Sequence, residues 1–158
     1  MGDKIVGGFS FDLMLRSGAE ESLLRLNEVT EEYGLKLTRQ QVAELLHTRD
    51  SSLKVTGRIE VGPGAVEKIV KAFCDCPYLW RQNYAETLND LVEIFYYMKN
   101  ETLDEVGDDD LIALMRDYFE NSCGGSIELL EGRELEQLAR NIRFGNSTEA
   151  EEKEEGDY

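Results

Sequence analysis

Apolar side chains recur every three to four positions over most of the chain, which is the spacing of α-helices rather than strands. The widest apolar face lies between residues 84 and 98. Its stripe is Tyr84, Leu88, Leu91, Val92, Phe95 and Met98, widened by Ile94, Tyr96 and Tyr97. A helix that is apolar over so broad an arc buries most of its surface. We therefore expect this helix to be the central and most buried one.

The same spacing predicts helices in five other stretches. Their stripes are Ala19, Leu23, Leu26 and Tyr33; Val42, Leu45, Leu46, Arg49 and Leu53; Val66, Ile69, Val70 and Phe73; Leu111, Leu114, Met115 and Tyr118; and Leu135, Leu138, Ala139 and Ile142. The linkers are short, and the sequence has neither alternating strands and helices nor an internal repeat. The pattern predicts an all-α fold, a compact irregular bundle of about six helices, with a helical solenoid as the alternative.

Polar residues and glycines mark where these helices begin and end. A Ser, Thr or Asn followed three residues later by Glu or Gln forms a capping box, in which side chains bind free backbone N–H groups of the first turn. The pairs are Ser17 with Glu20, Thr38 with Gln41, and Asn83 with Glu86. Gly34 and Gly57 are expected to end the first two helices. Ser126 is expected to open the last helical region, and Gly132 to bend it.

Two stretches interrupt the helical pattern. Residues 58–61 alternate briefly between polar and apolar but are too few for a sheet, so we interpret them as an extended connector. Pro63 then fits the first turn of the next helix, where its missing N–H costs nothing. Residues 74–82 form a second break, because Pro77 disfavours helical dihedral angles at Cys76.

The chain is strongly acidic. Its 158 residues include 33 Asp and Glu against 17 Lys and Arg, a formal net charge of −16. Such a field repels phosphate backbones and anionic lipid surfaces, which argues against nucleic acid and membranes as partners. The apolar stretch from Ile5 to Leu15 is too short and too polar to span a bilayer.

Composition divides the chain into three parts. Residues 1–16 are expected to form an N-terminal arm that packs on the body, and residues 17–147 a single helical domain. Residues 148–158 are almost entirely acidic or small and have no apolar periodicity. We expect this tail to be disordered, because it has nothing to bury.

The residue types that carry catalysis or bind metals form no recognisable motif. Cys74 and Cys76 lack the second ligand pair of a structural zinc site, and the only histidine, His47, lies mid-helix without a nucleophile motif. The acidic run before Met115 lacks the glutamate that a calcium loop needs at that position. We predict no catalytic residue, no metal and no cofactor. Three cysteines without a framework spacing or a secretory signal indicate a reducing cytoplasm, and we interpret Cys74 and Cys76 as partly buried, unreactive thiols in a loop.

Residues 37–59 allow one sharper alternative. A capped helix with Ala43 and His47, and a local excess of basic residues, loosely resembles a DNA-binding helix-turn-helix. The same residues fit one uninterrupted amphipathic helix equally well, because His47 replaces the usual turn glycine. The acidic charge of the whole chain opposes DNA binding.

The chain resembles an uncharacterised bacterial domain-of-unknown-function family. The resemblance rests on phrases between the N-terminal arm and the acidic tail: Tyr33-Gly34-Leu35, Gly57-Arg58-Ile59-Glu60, Phe73-Cys74-Asp75-Cys76-Pro77-Tyr78, Asn83-Tyr84-Ala85-Glu86-Thr87-Leu88, Phe95-Tyr96-Tyr97-Met98-Lys99-Asn100-Glu101 and Gly124-Gly125-Ser126. It implies a bacterial source and brings no assigned activity or substrate.

These observations favour a non-enzymatic protein-interaction module whose partner is a protein. Tyr78, Trp80, Tyr84, Tyr96 and Tyr97 could line an aromatic groove for a partner segment. The alternative is a small enzyme with a polar pocket near residues 58–86. The residues predicted to form the pocket or interface are Arg58, Glu60, Asp75, Tyr78, Arg81, Asn83 and Tyr84. The sequence sets no oligomeric state.

Overall fold

The computed structural model describes residues 16–60, 62–102, 106–134, 137, 140 and 141. The predicted arm before residue 16 and the acidic tail after residue 147 lie outside these ranges. So do the four apolar residues of the last predicted stripe, from Leu135 to Ile142. These three expectations remain predictions.

The described part of the chain is mainly helical, with short loops between the helices, and it contains no strand. The α-helices are α1 (residues 16–25), α2 (Asn27–Thr30), α3 (Arg39–Lys54), α4 (Gly64–Phe73), α5 (Tyr84–Glu101), α6 (Asp108–Asp117) and α7 (Ile127–Leu129). A 3₁₀ turn, Glu31–Tyr33, follows α2, and wider π-helical turns follow α6 and α7 at Tyr118–Ser122 and Leu130–Glu134. The predicted all-α fold is confirmed. None of the described helices is both long enough and apolar enough to cross a bilayer.

The contacts group the chain into two units, Met1–Glu93 and Ile94–Tyr158. Helix α5 contributes residues 84–93 to the first unit and residues 94–101 to the second. It has nine buried residues, against five each in α3 and α4, because its apolar arc is the widest. The predicted single domain over residues 17–147 remains a prediction.

The core of the first unit is built from the predicted stripes. Ala19, Leu23 and Leu26 of the first helical stretch are buried. All five predicted stripe residues of α3 and all four of α4 are buried as well. Fully burying one such side chain stabilises a fold by about 1.5–3 kcal/mol. Helical spacing therefore identified the helical part of this core, and Leu35, Leu37 and Leu79, which lie between helices, complete it.

Helix α3 begins at the predicted capping box. The Thr38 hydroxyl accepts a hydrogen bond from the Gln41 backbone N–H (3.1 Å), and the Gln41 side chain accepts one from the Thr38 N–H (2.9 Å). The helix then continues without interruption through His47 to Lys54. Residues 39–54 are therefore one helix, and the turn that a helix-turn-helix motif requires does not occur in them.

The first helical stretch differs from the prediction at both ends. Arg16 is already helical, so Ser17 lies inside α1 rather than at its N-cap. A cap preference is worth only about 1 kcal/mol and is easily outweighed by tertiary contacts. The α-helix is interrupted at Leu26, resumes as α2 and then tightens into the 3₁₀ turn, where Tyr33 is half exposed. Gly34 ends the stretch as predicted, with a φ of +74°.

In the second unit, α6 begins at Asp108 and has three aspartates in its first turn. Leu111 and Met115 are buried, but the predicted inward orientation of Leu114 and Tyr118 is wrong. Leu114 is 36% exposed and Tyr118 is only half buried. The true stripe also contains Ile112 and Phe119. Successive residues of an α-helix are rotated by about 100° around its axis. Leu111, Ile112, Met115 and Phe119 therefore lie within one arc of about 100°, and Leu114 lies about 60° outside that arc.

The links around α6 and α7 follow identifiable contacts. The Lys99 ammonium near the end of α5 donates to the Val106 carbonyl (2.8 Å) and pairs with Asp108 (2.9 Å). The Ser126 hydroxyl accepts from the Leu129 N–H and caps α7, as predicted. The backbone is non-helical at Gly132, which confirms the predicted bend.

Candidate functional site

A polar groove runs along α3 and α5 on the first unit. It consists of two cavities of about 560 and 540 Å³ that share Gln40, Glu44 and Asn89. We call it the α3–α5 groove. One cavity continues towards Arg81 and Asp90, and the other continues towards His47 and Thr48 on α3 and Arg16 on α1.

The groove follows from the amphipathic pattern of the two helices. The apolar stripe of α3 faces the core, so its polar flank, Gln40, Glu44 and Thr48 at four-residue spacing, lies at the edge. In the same way Glu86, Asn89 and Asp90 flank the buried stripe of α5. Residues four apart lie above one another on a helix, so each flank is a continuous polar strip.

A hydrogen bond connects the two polar strips. The Thr48 hydroxyl lies 2.6 Å from Asn89 Oδ1, and the Asn89 side-chain amide donates to the Ala85 carbonyl (3.3 Å). At the α1 end, Arg16 pairs with Asp50 (2.8 Å) and donates to the Ala43 carbonyl (3.1 Å). These contacts hold the side chains of the groove in defined positions.

The electrostatics of the groove are dominated by carboxylates. Glu44, Glu86 and Asp90 line its wider cavity, against one cation, Arg81. Partial burial, with the negative charges of Glu86 and Glu93, raises the pKa of Asp90 above its ordinary value. An ionised Asp90 is thus less favourable in the folded protein than in water. A cation placed in the groove would relieve this cost.

A smaller cavity of about 350 Å³ lies beside the groove. It is lined by Glu31, Gly34, Leu35, Lys36, Arg81 and Tyr84, and we call it the Arg81 cavity. Tyr84 forms part of its wall and is only 3% exposed, and its hydroxyl has no partner in hydrogen-bonding geometry among the described residues. Burial, with a smaller contribution from Cys74, raises the pKa of Tyr84 to about 12. The phenol therefore stays neutral throughout the physiological pH range.

The predicted site residues fall into several groups. Arg81 and Tyr84 line the Arg81 cavity together. Asn83 shapes the loop before α5, because its side chain accepts from the Trp80 N–H (2.9 Å) and donates to the carbonyl of Tyr78 (3.1 Å). Asn83 was predicted to cap α5, and the contacts described here direct its side chain to the preceding loop instead.

Arg58, Glu60 and Asp75 line neither the groove nor the Arg81 cavity. Glu60 Oε1 accepts from the Ala65 N–H (3.2 Å) and lies 3.8 Å from a guanidinium nitrogen of Arg49. Its carboxylate therefore supports the connector before α4. Arg58 and Asp75 are exposed in the two interhelical loops. An enzyme pocket built from these residues remains a prediction.

The predicted aromatic groove needs a correction. Tyr84 and Tyr96 are buried, so neither ring contributes to an exposed aromatic groove for a partner segment. Trp80 is 51% exposed and Tyr97 is 46% exposed. The buried pair belongs to the apolar arc of α5, where the hydrophobic effect favours the core over an exposed interface.

The cysteines and the histidine lie where they were expected. Cys74, Cys76 and Cys123 are buried, and none of them forms a disulfide bond. His47 is exposed on α3 at one end of the groove. In the part of the chain that the structure describes, no group of three His, Cys, Asp or Glu side chains is placed to hold a metal ion.

The main residues of the groove were not predicted from the sequence. Glu44, Asn89 and Asp90 were not singled out, because a polar helix flank has the same pattern whether it faces bulk water or another polar flank. The available signal was the four-residue repeat of polar residues on both helices, which identifies the strips but not their neighbour.

Comparison with protein families identifies the family to which this chain belongs. A model described as "Family of unknown function (DUF6323)" matches residues 22–148. The chain belongs to the DUF6323 family. This confirms the prediction of an uncharacterised domain-of-unknown-function family. Comparisons with curated proteins and with solved structures found no match.

In this DUF6323 chain the matched range contains nearly all of the groove. Of the groove residues named above, only Arg16 lies before residue 22. The Arg81 cavity lies entirely within the range. Both surfaces therefore belong to the family region rather than to the terminal segments.

Proposed function

We propose that this DUF6323 protein is a non-enzymatic interaction module that binds a basic segment of a partner protein in the α3–α5 groove. The observation that carries the proposal is the excess of carboxylates in the larger cavity of the groove, where Glu44, Glu86 and Asp90 line the wall with Arg81. The other arginine of the groove, Arg16, pairs with Asp50. The raised pKa of Asp90 supports it, because a nearby cation would favour the charged carboxylate. The proposal places the protein in a bacterial cytoplasm.

The shape of the groove suits an extended or helical segment better than a compact metabolite. Its two cavities adjoin along the helices, and each is larger than the Arg81 cavity. Gln40 offers an amide group that both donates and accepts hydrogen bonds, and Gln41 offers its side-chain NH₂ as a second donor, because its oxygen already caps α3. Such groups can pair with the peptide backbone of a partner, while the carboxylates pair with its lysines or arginines.

The net charge of −16 supports the same kind of partner. Long-range attraction between a negative surface and a basic segment increases the rate of association and weakens as salt is added. We expect association of the basic segment to slow strongly with ionic strength, and dissociation to change much less.

A binding measurement tests the proposal with a labelled peptide that alternates Lys and Gln. A Glu–Gln peptide of equal length serves as the peptide control. The variant E44Q/D90N removes two charges from the groove, and the control E28Q/E32Q removes two charges from exposed positions that do not line it. We expect the groove variant to weaken binding about tenfold and the control variant to change it less than about twofold.

Nuclear magnetic resonance locates the peptide on the protein. Binding should shift the amide signals of Gln40, Glu44, Asn89 and Asp90. Equal losses of affinity in both variants would show that binding follows net charge alone and would contradict the proposal. Failure of the wild-type protein to bind the basic peptide would contradict it as well.

A further inference from the structure

Arg81 combines a place on the cavity wall with the absence of an ion pair; Arg25 and Arg140 also lack an ion-pair partner among the described residues, but neither lines the groove or the Arg81 cavity. Arg16, Arg39, Arg49 and Arg116 each pair with at least one carboxylate. Arg81 has no ion-pair partner among residues 16–60, 62–102 and 106–134. This is notable in a chain with about twice as many acidic as basic residues. The Arg81 guanidinium is therefore available to an external anion.

The surroundings of Arg81 in its cavity limit the charge of that anion. Lys36 lies on the same cavity and pairs with Glu31 at 3.3 Å. Two cations and one carboxylate leave a single net positive charge at the cavity. A monoanion matches that charge, whereas a phosphate dianion would meet the acidic field of the rest of the chain uncompensated.

The walls of the cavity limit the rest of the ligand. Leu35 and Tyr84 line the cavity and are 2% and 3% exposed, so they contribute a small area of branched aliphatic and aromatic wall. The volume of about 350 Å³ is at the lower end of the range for small-molecule sites. A short apolar body fits such walls, and a carboxylate is the anion that a guanidinium binds with two parallel hydrogen bonds.

We propose that the Arg81 cavity binds a small monocarboxylate with an aromatic or branched apolar body. The carboxylate pairs with Arg81 and receives further attraction from Lys36. The apolar body packs against Tyr84 and Leu35. This ligand and its cavity are separate from the basic segment proposed for the groove, although Arg81 borders both surfaces.

Titration calorimetry with phenylacetate and isovalerate tests this proposal on the whole chain. 2-Phenylethanol has a similar apolar body without the charge, and inorganic phosphate has charge without the body. We expect millimolar or tighter binding of at least one carboxylate, and binding at least about tenfold weaker for the alcohol and for phosphate. Equal binding of the alcohol, preferential binding of phosphate, or no binding of either carboxylate would overturn the proposal.

Three variants assign the contacts. R81Q should weaken carboxylate binding about tenfold and K36Q several-fold, whereas K54Q, an exposed change that does not line the cavity, should leave it unchanged. The three side chains are exposed, so the variants are expected to fold, and circular dichroism checks this. Unchanged binding in R81Q would overturn the proposal. The variant E44Q/D90N should keep carboxylate binding, so this proposal and that for the groove can fail separately.

Discussion

The Thr48 hydroxyl donates a hydrogen bond to Asn89 Oδ1 across 2.6 Å, and this bond joins α3 to α5 in the α3–α5 groove. The two residues are 41 positions apart in the chain. The bond is part-buried, so water competes with it less than with a surface contact. It fixes the two polar strips relative to each other and thereby sets the spacing of the carboxylates in the groove.

Removing the hydroxyl of Thr48 should destabilise the first unit. T48V keeps the branched shape and a similar helix propensity, but it leaves Asn89 Oδ1 without its donor. We expect the free energy of unfolding to fall by about 1 kcal/mol, measured by urea denaturation. T48S keeps the hydroxyl and should lie within about 0.5 kcal/mol of the wild type. Equal effects of the two substitutions would show that the hydrogen bond contributes nothing.

Arg49 and Arg39 lie on the same helix and should differ strongly in their contribution to stability. The Arg49 side chain is 4% exposed, pairs with Asp50 and donates to the carbonyl of Gly62, holding the connector against α3. Arg39 is 56% exposed and pairs with Glu20 and Glu21. We expect R49M to lower the free energy of unfolding by about 2–3 kcal/mol and R39M to lower it far less, because water and salt screen the exposed pairs of Arg39. Urea denaturation of both variants compares them, and a similar cost for the two would contradict this ranking.

Asp90 should make the folded protein less stable as the pH rises from the ordinary carboxyl pKa of 3.8 through the raised pKa of the folded state. Its folded pKa is raised by burial and by Glu86 and Glu93, so in that range the folded protein binds more protons than the unfolded chain. Stability then decreases with increasing pH. D90N should therefore stabilise the protein at pH 7, by about 0.5 kcal/mol once solvent screening is allowed for.

The advantage of D90N should shrink as the pH falls towards the ordinary carboxyl value of 3.8. Thermal unfolding over a pH series measures this trend, and carbon-detected magnetic resonance follows the Asp90 carboxyl directly. The exposed variant D75N provides a comparison of equal charge change. A stabilisation that grows at low pH would show that the folded pKa of Asp90 is lowered instead.

The Tyr84 hydroxyl should contribute nothing favourable to stability. It is buried without a partner in hydrogen-bonding geometry among the described residues, and the nearby Thr30 hydroxyl donates to the Leu35 carbonyl (2.8 Å). Y84F removes a desolvated polar group and should leave the free energy of unfolding unchanged or raise it by about 1 kcal/mol. Y33F, at a half-exposed ring, is the matched control. A loss of more than about 1 kcal/mol in Y84F alone would reveal a hydrogen bond to Thr30.

The helices and most of the core could be predicted from the sequence because they depend on local rules. The stripe from Val42 to Leu53 and the Thr38–Gln41 capping box are present as expected. Tyr33 and Leu114 were assigned incorrectly because each lies near a change of helical pitch or at the edge of a stripe. A small rotation about the helix axis moves such a residue from core to solvent, and helical spacing alone does not resolve it.

By itself the sequence determined that the chain is all-α, where α3, α5 and α6 lie, and which side of α3 is buried. These properties follow from the helical repeat of 3.6 residues and from capping motifs that are a few residues long. Only the tertiary structure decided that the polar flanks of α3 and α5 adjoin, that Thr48 meets Asn89, and that Arg81 is left without a carboxylate. The physical reason is that polar side chains are equally stable facing water or facing each other, so their pattern along the chain does not specify a neighbour. Their partners are set by how the apolar faces pack.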